Sequence, residues 1–109
     1  MKLVNLTPHL ISIVTPSGTV TVPPSGTVAR VTKTSSPVTL PGVDVPLVTL
    51  AWGGLEGLPE PDGESLFVTS ALVREAVPGR QDVASPGDLV RDAAGQPIGC
   101  QGLVVNPRR

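Results

Sequence analysis

Thirteen prolines and twelve glycines divide this chain of 109 residues into short runs. Proline fixes φ and removes a backbone donor, and glycine admits positive φ, so each cluster ends the element before it. The runs between clusters have the ~4–8 residue length of strands and are rich in Val, Thr and Leu. Leu3 to Leu6 reads as a strand closed by Thr7-Pro8. Leu10 to Thr15, Thr19 to Val22 and Thr27 to Lys33 follow, separated by Pro16-Ser17-Gly18 and Pro23-Pro24-Ser25-Gly26. Pro16 to Val20 recurs as Pro24 to Val28, which is reused turn chemistry and not a solenoid, because it does not continue.

Thr34 to Pro37 reads as another break, and Val45 to Trp52 as a buried strand, being nearly continuous in apolar residues. Residues 53–65 form an acidic, Gly- and Pro-rich stretch without periodicity, expected to be an exposed mobile loop. Leu66 to Thr69 is a strand. Ser70 can cap a helix over Ala71 to Val77, with Pro78-Gly79 as its stop. Leu89 to Arg91, a turn at Asp92 to Gly95, and Pro97 to Val105 read as a closing hairpin, and 106–109 as a frayed basic tail. The expected fold is therefore a single mainly β domain over 1–109. It would be a small antiparallel barrel or sandwich of roughly six to eight short strands, with one short helix near 70–77.

Composition narrows the function classes. The net charge is -1, and Trp52 and Phe67 are the only members of the Phe, Trp and Tyr set. No global field draws a nucleic-acid polymer or an anionic membrane, and few rings are present to stack on bases. A core of small β-branched side chains makes oligomer contacts a natural supplement. One cysteine excludes an intrachain disulfide, and one Cys with one His cannot build a conventional zinc site. No metal or other cofactor is expected. The start, broken by Asn5 and Pro8, does not read as a signal peptide, no apolar run is long enough for a membrane helix, and a reducing cytoplasm is the expected compartment.

The charged residues concentrate in Pro78 to Asp92, where arginines and aspartates alternate with turn residues. Asp82, Asp88 and Asp92 are candidate structural ion-pair partners for arginines nearby. An arginine left over would present a planar fork to a carboxylate or phosphate. Arg30 stands within an apolar run, Val28 to Val31, which points to a buried or cleft-lining place. His9 follows Thr7-Pro8 at a corner between strands. It either satisfies a backbone carbonyl there or faces a ligand; a catalytic role would need a nucleophile and an orienting acid. Cys100 sits between Gly99 and Gly102, which permit close backbone approach, and reads as a buried inert thiol. No nucleophile elbow, phosphate-binding glycine loop or calcium loop is present.

Several segments in order resemble a group of short proteins of tailed phages, prophages and actinobacteria that carry an N-terminal Asn-Leu-Thr-Pro-His motif. They are Asn5 to His9, Pro24 to Gly26 with Ala29 to Val31, Val68 to Val73, Pro78 to Asp82, Val90 to Asp92, and Gly95 to Cys100. The resemblance covers nearly the whole chain; Phe67 stands where the group has Tyr. It implies a phage or prophage source and no established activity. Small phage proteins without catalytic motifs include inhibitors, virion parts and sponges for signalling nucleotides. By analogy the expected function is a non-enzymatic, homo-oligomeric sponge holding a small anionic ligand, such as a cyclic or ADP-ribose-derived nucleotide, in the host cytoplasm. His9, Arg30, Arg80 and Arg91 have the right chemistry for its phosphates, and Thr7, Thr69 and Ser70 for hydroxyl contacts. The alternatives are a minor virion or host-protein-binding module, and a small nucleotide hydrolase using His9.

Overall fold

The computed structural model describes residues 2–107. Ten strands and one helix follow one another as β1 (Lys2–Asn5), β2 (Ile11–Thr15), β3 (Gly18–Val22), β4 (Arg30–Val38), β5 (Leu47–Glu56), β6 (Ser65–Val68), α1 (Ala71–Ala76), β7 (Val83–Pro86), β8 (Leu89–Arg91), β9 (Pro97–Cys100) and β10 (Leu103–Val105). One four-stranded sheet has the order β1-β6-β7-β10, a second β3-β2-β9-β8, and β4 pairs with β5 alone. The fold is mainly β and sandwich-like, and neither four-stranded sheet closes into a barrel.

The first sheet is covered on both faces. Phe67 joins Leu6, Ala29 and Val73 on one side, beneath α1. Its neighbour Val68 joins Ile11, Ile13 and Cys100 of the second sheet on the other. Successive strand residues point to opposite faces, so β6 is buried twice over. Segment 24–29 runs along the outer edge of β1, with Ser25 N–H donating to Asn5 O at 2.9 Å and Ala29 N–H to Leu6 O at 2.9 Å. That covers an edge that would otherwise offer a free ladder.

The sequence points to antiparallel pairing, but the observed pairing is mixed. β1 runs parallel to β6, β6 to β7, and β2 to β9. The cause for β6 and β7 is α1. Parallel neighbours need a crossover of a dozen or more residues, and a helix provides it. Ser70 caps this helix, accepting a hydrogen bond from Val73 N–H. The predicted return strand Pro97 to Val105 is broken at Gln101-Gly102, where Gly102 has φ +70°, and its two halves enter different sheets.

The largest departure lies between residues 30 and 56. Thr34 to Pro37 is not a break but the middle of β4, and Val45 to Trp52 is exposed instead of buried. Together β4 and β5 form a two-stranded arm. The radius of gyration is 17.2 Å, with extents of 56 × 40 × 29 Å. A compact chain of this length would have about 13 Å. The stretch expected as a loop over 53–65 begins inside β5 and ends inside β6. The remainder is held: Arg80 Nη2 donates to Pro59 O at 2.9 Å, Leu58 packs on the core, and Asp62 accepts from Glu64 N–H and Ser65 N–H at 2.8 Å each. These hydrogen bonds, from Glu64 N–H first and the Ser65 hydroxyl second, hold the Asp62 carboxyl below its ordinary pKa.

Nor is the C-terminal stretch frayed where it is described. Asn106 is buried, and its amide donates to Arg74 O, Val77 O and Arg80 O at 3.1, 2.8 and 3.1 Å. It adds a donor to carbonyls at and just beyond the end of α1, where the helical ladder runs out. Arg108 and Arg109 lie outside the described residues. No helix among the described residues is long and apolar enough to cross a membrane.

Candidate functional site

A cleft of about 650 Å³ opens where the β1–β2 corner, the start of α1 and strand β9 meet. The corner is shaped by Asn5, a buried side chain engaged at both ends. Its Nδ2 donates to His9 O at 2.8 Å and Val22 O at 2.9 Å, and its Oδ1 accepts from Thr7 N–H at 2.9 Å and the Thr7 hydroxyl at 2.7 Å. Those bonds fold residues 7–9 into a rigid lip. The opposite wall depends on Gly99. A Cβ there would lie 2.7 Å from Ser12 O, so only glycine lets β9 sit this close to β2.

Four of the seven ligand-contact candidates line this cleft: Thr7, His9, Thr69 and Ser70. They do not all have free polar capacity. The Thr69 hydroxyl is buried and donates toward Ser70 O and Ala84 O at 2.9 and 3.3 Å. Thr7 is engaged with Asn5. The Ser70 hydroxyl accepts from Val73 N–H at 3.3 Å and keeps its proton to donate. His9 is exposed at the rim, and no hydrogen bond of its imidazole occurs among the described residues. The corner is thus closed by Asn5 bonding the His9 backbone, not by the imidazole. Around these groups the cleft is apolar, with Leu10, Leu89 and Ile98 exposed along it. Cys100 lies buried at its base.

The three arginines do not converge there. Arg80 makes a fork-to-fork pair with Asp82, Nε to Oδ1 and Nη2 to Oδ2, both at 2.8 Å. The hydrogen bonds from Arg80 hold the Asp82 carboxyl below its ordinary pKa, and the same pair raises that of Arg80. The prediction of Asp82 as an ion-pair partner holds. Arg30 is exposed at the base of the arm, not buried or cleft-lining, because its place in β4 faces solvent. Arg91 donates to Gly95 O at 2.8 Å within its own hairpin. Asp92 accepts from Ala94 N–H and Gln96 N–H at 2.9 and 3.0 Å, so it builds the turn and does not pair with arginine. Asp88 makes no ion pair among the described residues; its backbone carbonyl takes Gln101 N–H at 2.7 Å.

Sequence reasoning missed Asn5 and Asn106, which look like ordinary turn residues, and the role of Arg74. Arg74 donates to the Ser85 hydroxyl at 2.8 Å and Asn106 Oδ1 at 3.2 Å, partners far away in sequence. Among the described residues no three of His, Cys, Asp and Glu gather as metal ligands would. No family model matches the chain, and no curated protein or solved structure matches it.

Proposed function

We propose that this chain is a non-enzymatic small-molecule-binding protein and that the cleft beneath His9 is its binding site. The observation that carries the reading is the convergence of His9 and Ser70, both with open hydrogen-bonding capacity, on an apolar cleft of about 650 Å³. That size falls within the ~300–1,000 Å³ of ligand sites, which are mostly apolar with a few polar groups to fix orientation. A flat heterocycle fits between Leu10, Leu89 and Ile98, with its polar edge toward Ser70 and a charged substituent at the rim near His9. The resemblance to phage proteins makes a sequestered signalling nucleotide of the host cytoplasm, cyclic or ADP-ribose-derived, the ligand class to test first. No arginine lines the cleft, so on this reading the phosphates lie at the solvent-facing mouth near His9.

Hydrolysis by His9 draws less support. No Asp or Glu lines the cleft, so the imidazole has no orienting acid there. Cys100 is buried, and Ser70 already caps a helix. The test is titration calorimetry of cyclic and ADP-ribose-derived nucleotides, with mass spectrometry of what heat releases. Intact nucleotide is expected, with binding weakened by His9→Ala and by Ile98→Trp, which narrows the cleft. No binding across that panel, or recovery of cleaved nucleotide, refutes the reading.

A further inference from the structure

Nothing in the cleft accounts for the arm. The ladder sets Lys33 opposite Trp52, Ser35 opposite Leu50 and Pro37 opposite Val48. One face of the ribbon is therefore a row of Trp52, Leu50 and Val48, 43%, 62% and 59% exposed, while the other carries Thr34, Ser36 and Thr49. This is the alternation of a sheet with one buried face, yet no element of the chain covers that face. A two-stranded ribbon alone is at best marginally stable in water.

We propose that a second copy of this chain covers the apolar face of the β4–β5 arm, the two arms packing face to face and antiparallel about a two-fold axis. Three observations favour a second copy. The first is the strip itself. Val48, Leu50 and Trp52 lie side by side on one exposed face of the ribbon, and a two-fold axis matches such a strip to its own copy. The second is charge. Asp44 lies in the connection at the tip of the arm, and Lys33, opposite Trp52, lies toward its base. Antiparallel packing sets the tip of each copy against the base of the other, which brings Asp44 toward Lys33, and an isologous interface makes that contact twice. Lys33 Nζ stands 4.8 Å from the Trp52 ring centre, so it is gathered at the patch. The third is the edge. Pro37 occupies β4 without breaking its ladder, which is how proline sits when its nitrogen faces a free edge. A proline there disfavours addition of another strand along β4, while the outer edge of β5 has no such guard.

Sedimentation of the full chain tests this, read across protein concentrations up to about 100 μM. The wild type is expected to dimerise or form a higher even-numbered oligomer. Leu50→Glu is expected to weaken association at least ~10-fold, the effect of losing a central apolar anchor. Its far-ultraviolet dichroism should keep the wild-type signal of the two four-stranded sheets. Lys33→Asp and Asp44→Lys should each weaken association, and the double charge swap should restore it without altering the fold. A wild type monomeric throughout, a Leu50→Glu variant that still assembles, or a swap that restores nothing overturns the proposal. So does a monomer whose arm is occupied only by a different protein.

Discussion

Replacing Asn106 with alanine should remove a disproportionate share of the stability of this domain. Its amide has two hydrogens for three carbonyls, those of Arg74, Val77 and Arg80. At most two full hydrogen bonds are made, worth about 1 kcal/mol each net. The Arg74 guanidinium loses one neutral acceptor, Asn106 Oδ1, and retains Ser85. A hydrogen bond to a charged group adds about 1.5–3 kcal/mol. Two of the carbonyls retain other donors: Arg74 O takes Val77 N–H at 3.2 Å, and Val77 O takes Arg80 N–H at 3.0 Å. Allowing for those, the expected loss is about 3 kcal/mol, against the ~5–15 kcal/mol that holds a typical domain folded. Urea denaturation followed by circular dichroism, at one fixed protein concentration, should show the midpoint fall with an unchanged slope. Asn106→Asp should do no better, since it keeps Arg74 but turns an anionic oxygen toward three carbonyl oxygens. Arg91→Ala, which frees only an exposed turn, should stay within about 0.5 kcal/mol. A loss at Asn106 no larger than at Arg91 would refute the argument that this side chain clamps the end of α1.

Asn5→Ala should cost about 2–3 kcal/mol in the same assay and weaken ligand binding, because the lip carrying His9 loses three anchors and Val22 O loses a donor. Equal binding by a folded Asn5→Ala protein would separate the lip from the site. Gly57→Ala should destabilise by more than ~1 kcal/mol, since φ is +78° and the new Cβ meets the Val28 carbonyl; a neutral thermal shift would refute this. The Asp82–Arg80 pair should contribute about 1–2 kcal/mol after allowance for its partial exposure. The folded Asp82 carboxyl titrates below the ordinary value of about 3.9, so the contribution is complete above roughly pH 5 and declines as pH falls through the lowered value. Comparing wild type with Asp82→Asn should therefore show a gap in unfolding free energy that is flat at neutral pH and narrows in acid. A gap that widens below pH ~4 contradicts the sign.

The features legible in sequence are local ones. Strands β1 to β3 lie between unmistakable turns, and Ser70 and Pro78 bracket the helix closely, so neighbouring residues suffice to read them. Arg80 and Asp82 are two apart, and that pairing could be read as well. The arm is hard to read because a run of apolar residues reads as buried, although the larger residues Val48, Leu50 and Trp52 alternate with smaller Thr49 and Ala51. Alternation reports a two-sided ribbon, but not whether anything in the same chain covers it. Parallel pairing is hidden for a related reason: the strand over 66–69 and the helix read locally, but Val83–Pro86, a short run set among charged and turn residues, does not read as a strand, so no crossover is implied. Asn5, Arg74 and Asn106 were illegible because their partners lie as far as 32 positions away, and no local pattern marks a side chain that bonds across the fold.

Lys2 pairs with Ser65, and Leu103 closes the same sheet against Pro86. A ribosome must therefore deliver nearly the entire polypeptide before that sheet is complete, whereas the hairpin over 30–56 needs only its own residues. Pairings between distant positions form slowly and local ones quickly. During synthesis a sticky ribbon exists before there is a finished body to carry it, and two nascent molecules can meet through it early. Refolding from denaturant should accordingly lose yield as the concentration rises, by a second-order process that begins at the ribbon.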